Sequence, residues 1–254
     1  MIHSILIIGQ SNMAGRGYAS EVEPINNKNG ALKVLRNGRW IPMYRPVNPD
    51  RVTSGTCLAE SFVDRYSTDH PDVEVGIIPC ADGGTNLDQW KEGSLLFDNA
   101  VNCTKLAQRT SHLVAILWHQ GESDCREDLY PLYLEKITAI MSALRREINA
   151  QNIPLIIGGL GDFLKDRIEK KPSLENYPRI NEALEKFAQT SPHTAFVSAK
   201  GLTSNPDNLH FNSKSLLEFG LRYYEAFKQI EDKNRDYEEQ GKINDSIRSA
   251  MELL

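Results

Sequence analysis

The 254-residue chain is 40% hydrophobic and 25% charged, the composition of one globular α/β domain with a single core. Its 29 basic residues are outnumbered by 34 acidic ones, for a net charge of −5, and form no Lys/Arg-rich block, which argues against a nucleic-acid partner. No apolar run approaches the ~18–20 residues of a membrane span. The start, Met1-Ile2-His3-Ser4, lacks the basic region of a secretory signal, so a cytoplasmic location is expected unless a leader has been removed.

The first strand is read at residues 4–8 and runs into Gly9-Gln10-Ser11-Asn12-Met13-Ala14-Gly15-Arg16-Gly17. A glycine-rich turn at the end of a buried strand is where an α/β protein exposes reactive groups. Residues 18–56 break the rhythm with a short hairpin, 32–35 and 40–43, around Asn37-Gly38. Pro42, Pro46 and Pro49 then mark a loop. A helix over 58–67 sets Leu58, Phe62, Val63 and Tyr66 on one face, and a strand follows at 74–79. Next come a helix at 97–109, a strand at 113–119 and a long helix at 130–150 carrying Leu134, Ile137, Ile140, Met141, Leu144 and Ile148. A strand at 154–159, a helix at 179–190, a strand at 194–198 and a helix at 213–230 complete the alternation. Such short apolar runs suit parallel strands buried on both faces, and the β-α alternation predicts a three-layer sandwich around a mostly parallel, five-stranded sheet. Residues 1–230 read as one domain. The segment 231–254 is charged and nearly free of aromatic residues, which suits a solvated helix or a partly disordered tail.

In an open α/β sheet, sites lie beyond the carboxyl ends of the strands. Four polar or glycine-rich loops fall there: Gly9-Gln10-Ser11-Asn12, Cys80-Ala81-Asp82-Gly83-Gly84-Thr85-Asn86, His119-Gln120-Gly121-Glu122-Ser123-Asp124, and the late Asp207-Asn208-Leu209-His210. Ser11 is the candidate nucleophile, and a serine hydroxyl needs a base to take its proton. His210 is the candidate base, and Asp207 the group that holds its other ring nitrogen. Acyl transfer also needs donors for the developing oxyanion. The candidates are the Ser11 N–H, the Gly84 N–H and the Gln120 side-chain amide. Gln10, Asn12 and Thr85 are candidate substrate contacts in the same loops, and Arg16 is placed to steer an anionic or hydroxylated substrate. Against these stand plainer readings: a helix N-cap for Ser11, a capped surface turn for Asp207 and His210, a solvated amide for Gln120, a surface arginine for Arg16.

Glu122 and Asp124 lie near the same edge. Paired carboxylates can hydrolyse glycosides, but that reading leaves Ser11 and His210 unused. His119 is expected to pack or hydrogen-bond within the site wall. Trp90, Trp40 and Tyr18 are read as lining a substrate cleft, with core packing the alternative for Trp40. Cys57, Cys80, Cys103 and Cys125 form no C-x-x-C pair and are expected to be reduced and mostly buried; neither they nor the 6 histidines show zinc-ligand spacing.

Gly-Gln-Ser-Asn-Met after the first strand, Gly-Gly-Thr after the second, His-Gln-Gly-Glu after the third and the late Asp-x-x-His together resemble the SGNH-hydrolase superfamily. The closer resemblance is to its branch of carbohydrate esterase family 6 acetylxylan esterases and sialate O-acetylesterase-like proteins. It spans about residues 3–228 and includes Asn37-Gly38-Arg39-Trp40 with Pro42 as that branch's early hairpin. The resemblance implies a flavodoxin-like α/β/α sandwich and hydrolysis of acetyl esters on a sugar or oligosaccharide, with no metal and no cofactor. It matches Ser11 to the nucleophile, Asp207 and His210 to its partners, and Gly84 and Gln120 to the oxyanion hole. Glu122 then becomes a rival to Asp207 for orienting His210, with adjacency in sequence favouring Asp207.

Two other readings remain open at this level. One is an esterase or thioesterase acting on other acyl esters. The other is a non-catalytic carbohydrate-binding module on the same fold, with Arg16 and the glycine loops holding the ligand. Specificity is expected to reside in loops 18–56, 86–95 and 162–178.

Overall fold

In the computed structural model, which describes residues 1–27 and 30–251 and the side chains of those up to Asn234, the apolar run behind Met1 forms β1 (Ile2–Gly9), buried from Ser4 onward. Both faces are covered, so Ile5, Leu6, Ile7 and Ile8 make a continuous apolar run where a half-buried strand would alternate. β1 leads through Gln10 into the one-turn helix α1 (Ser11–Ala14). It lies at the centre of the sheet, parallel to β4 (Glu74–Pro79) on one side and to β5 (Ser111–His119) on the other. β6 (Leu155–Gly158) and β7 (Thr194–Val197) continue the parallel array beyond β5.

The hairpin forms as β2 (Leu32–Arg36) and β3 (Arg39–Pro42), with Asn37 and Gly38 at φ 49° and 75°, the left-handed pair that a two-residue turn requires. It corrects the expected strand count. The sheet has seven strands, ordered β3-β2-β4-β1-β5-β6-β7, and not five. An isolated hairpin has nothing to bury its apolar face against. Here β2 runs parallel to β4, setting Leu32, Lys33 and Val34 opposite Val75, Gly76 and Ile77, and Leu32 and Val34 become buried.

The helices form two outer layers. α2 (Ala59–Asp69) and α6 (Ser213–Met251) pack together on one face. α3 (Leu95–Ala107), α4 (Tyr133–Glu147) and α5 (Tyr177–Thr190) follow one another across the other. Right-handed crossovers require this split, because the chain leaves the central strand in opposite directions. α4 starts later than its apolar periodicity suggests, because Pro131 sits in a separate 3₁₀ turn, Tyr130–Leu132. α6 is anchored by Leu216, Phe219, Tyr223 and Phe227, all at most 1% exposed. Full burial of a Leu or Phe side chain contributes about 1.5–3 kcal/mol. The helix continues through the charged segment to Met251; residues 252–254 of the expected tail lie outside the described residues. Among the described residues, no helix is long and apolar enough to cross a membrane.

With β4 and β5 on either side of β1, the loops that follow these three strands meet at the carboxyl edge of the sheet. That is the crevice position of an open α/β sheet.

Candidate active site

Ser11 is the first residue of α1, and helix geometry leaves its N–H without an intrahelical acceptor. Its Oγ lies 3.0 Å from Nε2 of His210, and Nδ1 of the same ring lies 2.6 Å from Oδ2 of Asp207. The local sequence explains the second contact. Asp207 Oδ1 accepts the backbone N–H groups of Leu209 and His210 at 2.9 and 3.0 Å, an Asx-type turn that folds the ring back onto the carboxylate. Burial would raise the Asp207 pKa, but the His210 N–H, the ring Nδ1 and the Leu209 N–H outweigh it and hold the carboxyl below its ordinary value. An ionised carboxylate only accepts, so Nδ1 carries the hydrogen and Nε2 is left to accept from the Ser11 hydroxyl. The structure thus brings Ser11, His210 and Asp207 into one hydrogen-bonded chain.

Glu122, the rival carboxyl, makes no hydrogen bond to His210, whose ring bonds Asp207 and Ser11. Its Oε1 accepts from Asn12 Nδ2 at 2.5 Å. Asn12 is 1% exposed; it also donates to the Leu209 carbonyl at 3.2 Å and accepts the Phe211 N–H at 3.1 Å. Asn12 therefore ties α1 to the residues on either side of His210, and is not open for the substrate contact expected of it.

The second loop supplies Gly84, at φ 79° and with an N–H that donates to no group among the described residues. A left-handed backbone here disfavours most side chains. Gly83 lies against the serine: a Cβ on it would stand 3.4 Å from Ser11 Cβ, 2.5 Å from Arg16 Nη2 and 2.9 Å from Asp50 Oδ2. Its own N–H donates to Asp50 Oδ2 at 2.8 Å. This contact corrects the expectation for Arg16. The guanidinium is 7% exposed, pairs with both Asp50 oxygens at 2.9 and 2.7 Å, and donates to the Gly15 carbonyl. Both terminal nitrogens are thus committed to bracing the glycine loop. Burial pushes Asp50 up, but the bonds from Arg16, Ser54 and the Gly83 N–H prevail and lower its pKa. Asn48 adds a second tie by bonding both the N–H and the carbonyl of Ala81. Neither Asn48 nor Asp50 was legible in sequence. They sit in the loop marked by Pro46 and Pro49, with no periodicity or motif to single them out.

Gln120 also differs from expectation. It is fully buried, its Nε2 donates to the Thr85 carbonyl at 3.0 Å and to Asp124 Oδ2 at 2.5 Å, and its Oε1 accepts from Tyr133. With both amide hydrogens committed inside the wall, it has none to offer an oxyanion. The amide left with a free donor is Gln10, itself 3% exposed. Its Oε1 accepts the N–H groups of Gly121 and Ser123 at 3.3 and 3.4 Å, which fixes the flip of the amide. Its Nε2 has no acceptor among the described residues and is not sealed from solvent.

The remaining residues form the wall. Thr85 is 2% exposed; its hydroxyl donates to the Asp82 carbonyl and accepts from Trp90 Nε1, so neither Thr85 nor Trp90 is a cleft contact. Trp40 lies at the sheet edge over Gly76 and donates to Thr110. His119 is fully buried within hydrogen-bonding reach of the Gly159 carbonyl. Asp124, buried beneath Gln120, is lifted by that burial to about 6, against the bonds from Gln120 and the Leu87 N–H. All four cysteines are free thiols, and three of them are buried. Tyr18, 51% exposed, remains an aromatic group open to solvent beside the Gly15–Gly17 turn.

A mostly parallel α/β/α sandwich with a serine at the end of its central strand, met by a histidine from the loop before the last helix, is the arrangement of SGNH-type hydrolases. The chain belongs to the carbohydrate esterase, sialic acid-specific acetylesterase family, whose model matches residues 2–229, and it is accordingly a carboxylic ester hydrolase. A probable carbohydrate esterase of Arabidopsis thaliana is 26% identical over 249 residues, covering 87% of this chain and 88% of that protein. The solved structure of that Arabidopsis protein has a TM-score of 0.78 at 24% identity, covering 89% of this chain and 98% of the other. A carbohydrate acetylesterase from Xanthomonas citri has a TM-score of 0.66 at 18% identity, covering 90% of this chain and 56% of its own. At these identities the two structures speak to the fold.

Proposed function

We propose that this protein removes O-acetyl groups from a carbohydrate by acyl transfer through Ser11. The observation that carries the proposal is the Ser11–His210–Asp207 chain, with contacts of 3.0 and 2.6 Å. His210 Nε2 takes the hydroxyl proton as Ser11 Oγ attacks the acetyl carbonyl carbon. Asp207 holds the ring with Nδ1 protonated and stabilises the imidazolium that forms. The carbonyl oxygen, now carrying the charge, accepts from the N–H groups of Ser11 and Gly84 and from Gln10 Nε2. On collapse, the bond to the sugar oxygen breaks, and His210 passes its proton to that oxygen. The acetyl group remains on Ser11. A water then gives its proton to His210 and attacks the acetyl carbon. Ser11 leaves with the proton returned, and acetate is released.

The family supports acetylated carbohydrate as the substrate class, with an O-acetylated sialate or xylo-oligosaccharide as the first compounds to try. The test is acetate release from both, by wild type and by Ser11→Ala. Turnover that disappears in the variant supports the mechanism, and turnover that survives it sinks it. A series of p-nitrophenyl esters decides acyl length: preference for octanoyl over acetyl favours an esterase of longer chains.

A further inference from the structure

Ser11 is flanked in sequence by Gln10 and Asn12, and both side chains are held by one short 3₁₀ turn, Glu122–Asp124, at the end of β5. The N–H groups of Gly121 and Ser123, one on each side of Glu122, donate to Gln10 Oε1. The carboxyl of Glu122 itself accepts from Asn12 Nδ2. Asn12 in turn reaches the Leu209 carbonyl and the Phe211 N–H, the backbone groups immediately before and after His210. We infer that Glu122 is a positioning residue for the reaction proposed above, holding the His210 loop in register with Ser11 through the amide of Asn12.

The chemistry of that amide is what gives Glu122 its role. Asn12 satisfies the loop in one orientation only, with Oδ1 toward the Phe211 N–H and Nδ2 toward the Leu209 carbonyl. Turning it over sets an NH₂ against an N–H and an oxygen against an oxygen. An acceptor at Glu122 Oε1 selects the working orientation, because the flipped amide would face it with a second oxygen. A purely structural role fits less well. Glu122 is 4% exposed and its Oε2 is buried with no hydrogen-bond partner, so the side chain leaves part of its polarity unsatisfied. What it retains is the bond to Asn12. It makes no hydrogen bond to Ser11 or His210 among the described residues, so its effect travels through Asn12.

A displacement of His210 by a fraction of its hydrogen-bond length is enough to slow proton transfer; misplacements of this kind cost about 10²-fold in rate. The test is steady-state kinetics on an acetyl ester for Glu122→Ala, Glu122→Gln, Asn12→Ala and the double variant Asn12→Ala/Glu122→Ala. Thermal unfolding establishes the folded fraction of each. Glu122→Ala is expected to lower kcat by about 10²-fold, with KM changed no more than about twofold, since the substrate-facing groups are untouched. The double variant is expected to lose no more than Asn12→Ala alone, because the two groups act in series. Glu122→Gln keeps an acceptor at the same place and is expected to recover most of the loss. Wild-type kcat in Glu122→Ala, additive losses in the double variant, or a Glu122→Gln no better than Glu122→Ala each overturns the inference. Ser11→Ala in the same assay separates the two levels. If it retains activity, the acyl-transfer reading itself fails, whatever Glu122 does.

Discussion

Ser11 Oγ and His210 Nε2 stand 3.0 Å apart although 199 positions separate them in the chain. The end of the central strand supplies one and the loop before α6 the other. The ring is oriented from behind by Asp207, and that orientation is testable apart from charge. Asp207→Asn places an amide where the carboxylate was. Its NH₂ would donate to Nδ1, leaving the hydrogen on Nε2, where it opposes proton uptake from Ser11. The expected result is a fall in kcat of about 10³–10⁴-fold, with KM little changed, measured on an acetyl ester.

The oxyanion role proposed for Gln10, and not for Gln120, is open to a direct comparison of the two. Gln10→Ala removes the side-chain amide and also leaves the Gly121 and Ser123 N–H groups without their acceptor. Its folded fraction is expected to lose about 10²–10³-fold in kcat, with a stability cost of about 1–3 kcal/mol. Gln120→Ala removes the buried partner of Asp124 and Tyr133. It is expected to cost about 1–3 kcal/mol in a denaturant titration, while the folded fraction keeps kcat much closer to wild type than Gln10→Ala does. The reverse pattern would return the oxyanion role to Gln120.

Arg16 and Asp50 form a buried pair, with side chains 7% and 4% exposed. Asp50→Ala strands the Arg16 cation, frees the Gly83 N–H, and is expected to destabilise the fold by about 3–5 kcal/mol. The neighbouring Arg51–Asp82 pair has the same length, 2.7 Å, but its side chains are 51% and 28% exposed. Asp82→Asn is therefore expected to cost no more than about 1 kcal/mol. Urea unfolding of both variants checks the contrast.

Asp124 gives the fold a pH dependence of definite sign. Burial lifts its carboxyl from the ordinary 3.8 to about 6. A carboxyl raised on folding contributes stability that is fully present below its unfolded pKa and lost as pH rises through its folded value. The window runs from about pH 4 to about pH 6, and the difference corresponds to about 3 kcal/mol at most. Oδ2 alone accepts from both Gln120 and the Leu87 N–H at 3.5 Å or less, so an amide oxygen can take its place. Asp124→Asn is expected to gain stability relative to wild type on going from pH 4 to pH 7, read from urea midpoints at the two values. Equal changes in the two proteins would show that Asp124 is not the group responsible.

The strands and the site loops were legible because their signals are local: apolar runs of four to six residues, and glycine or polar clusters at their ends. The Asp207–His210 contact was legible for the same reason, being made within a single turn. What sequence withheld depends on distant contacts. The hairpin's turn was visible in Asn37-Gly38, but its membership of the sheet rests on pairing between β2 and β4, about forty positions apart. Gln10 and Gln120 carry the same amide at the same sheet edge. Which one keeps a free donor is decided by the Gly121 and Ser123 N–H groups, and by Asp124 and Tyr133 drawing Gln120 inward. Arg16 looked available because Asp50, its partner, lies 34 positions away in a loop without a pattern.

The most direct test of the Ser11–His210 chemistry is labelling with a serine-directed fluorophosphonate, read by intact mass and peptide mapping. The proposed mechanism predicts one adduct, on Ser11, formed by wild type and lost in His210→Ala. An adduct on another residue, or Ser11 labelling undiminished in His210→Ala, would contradict it.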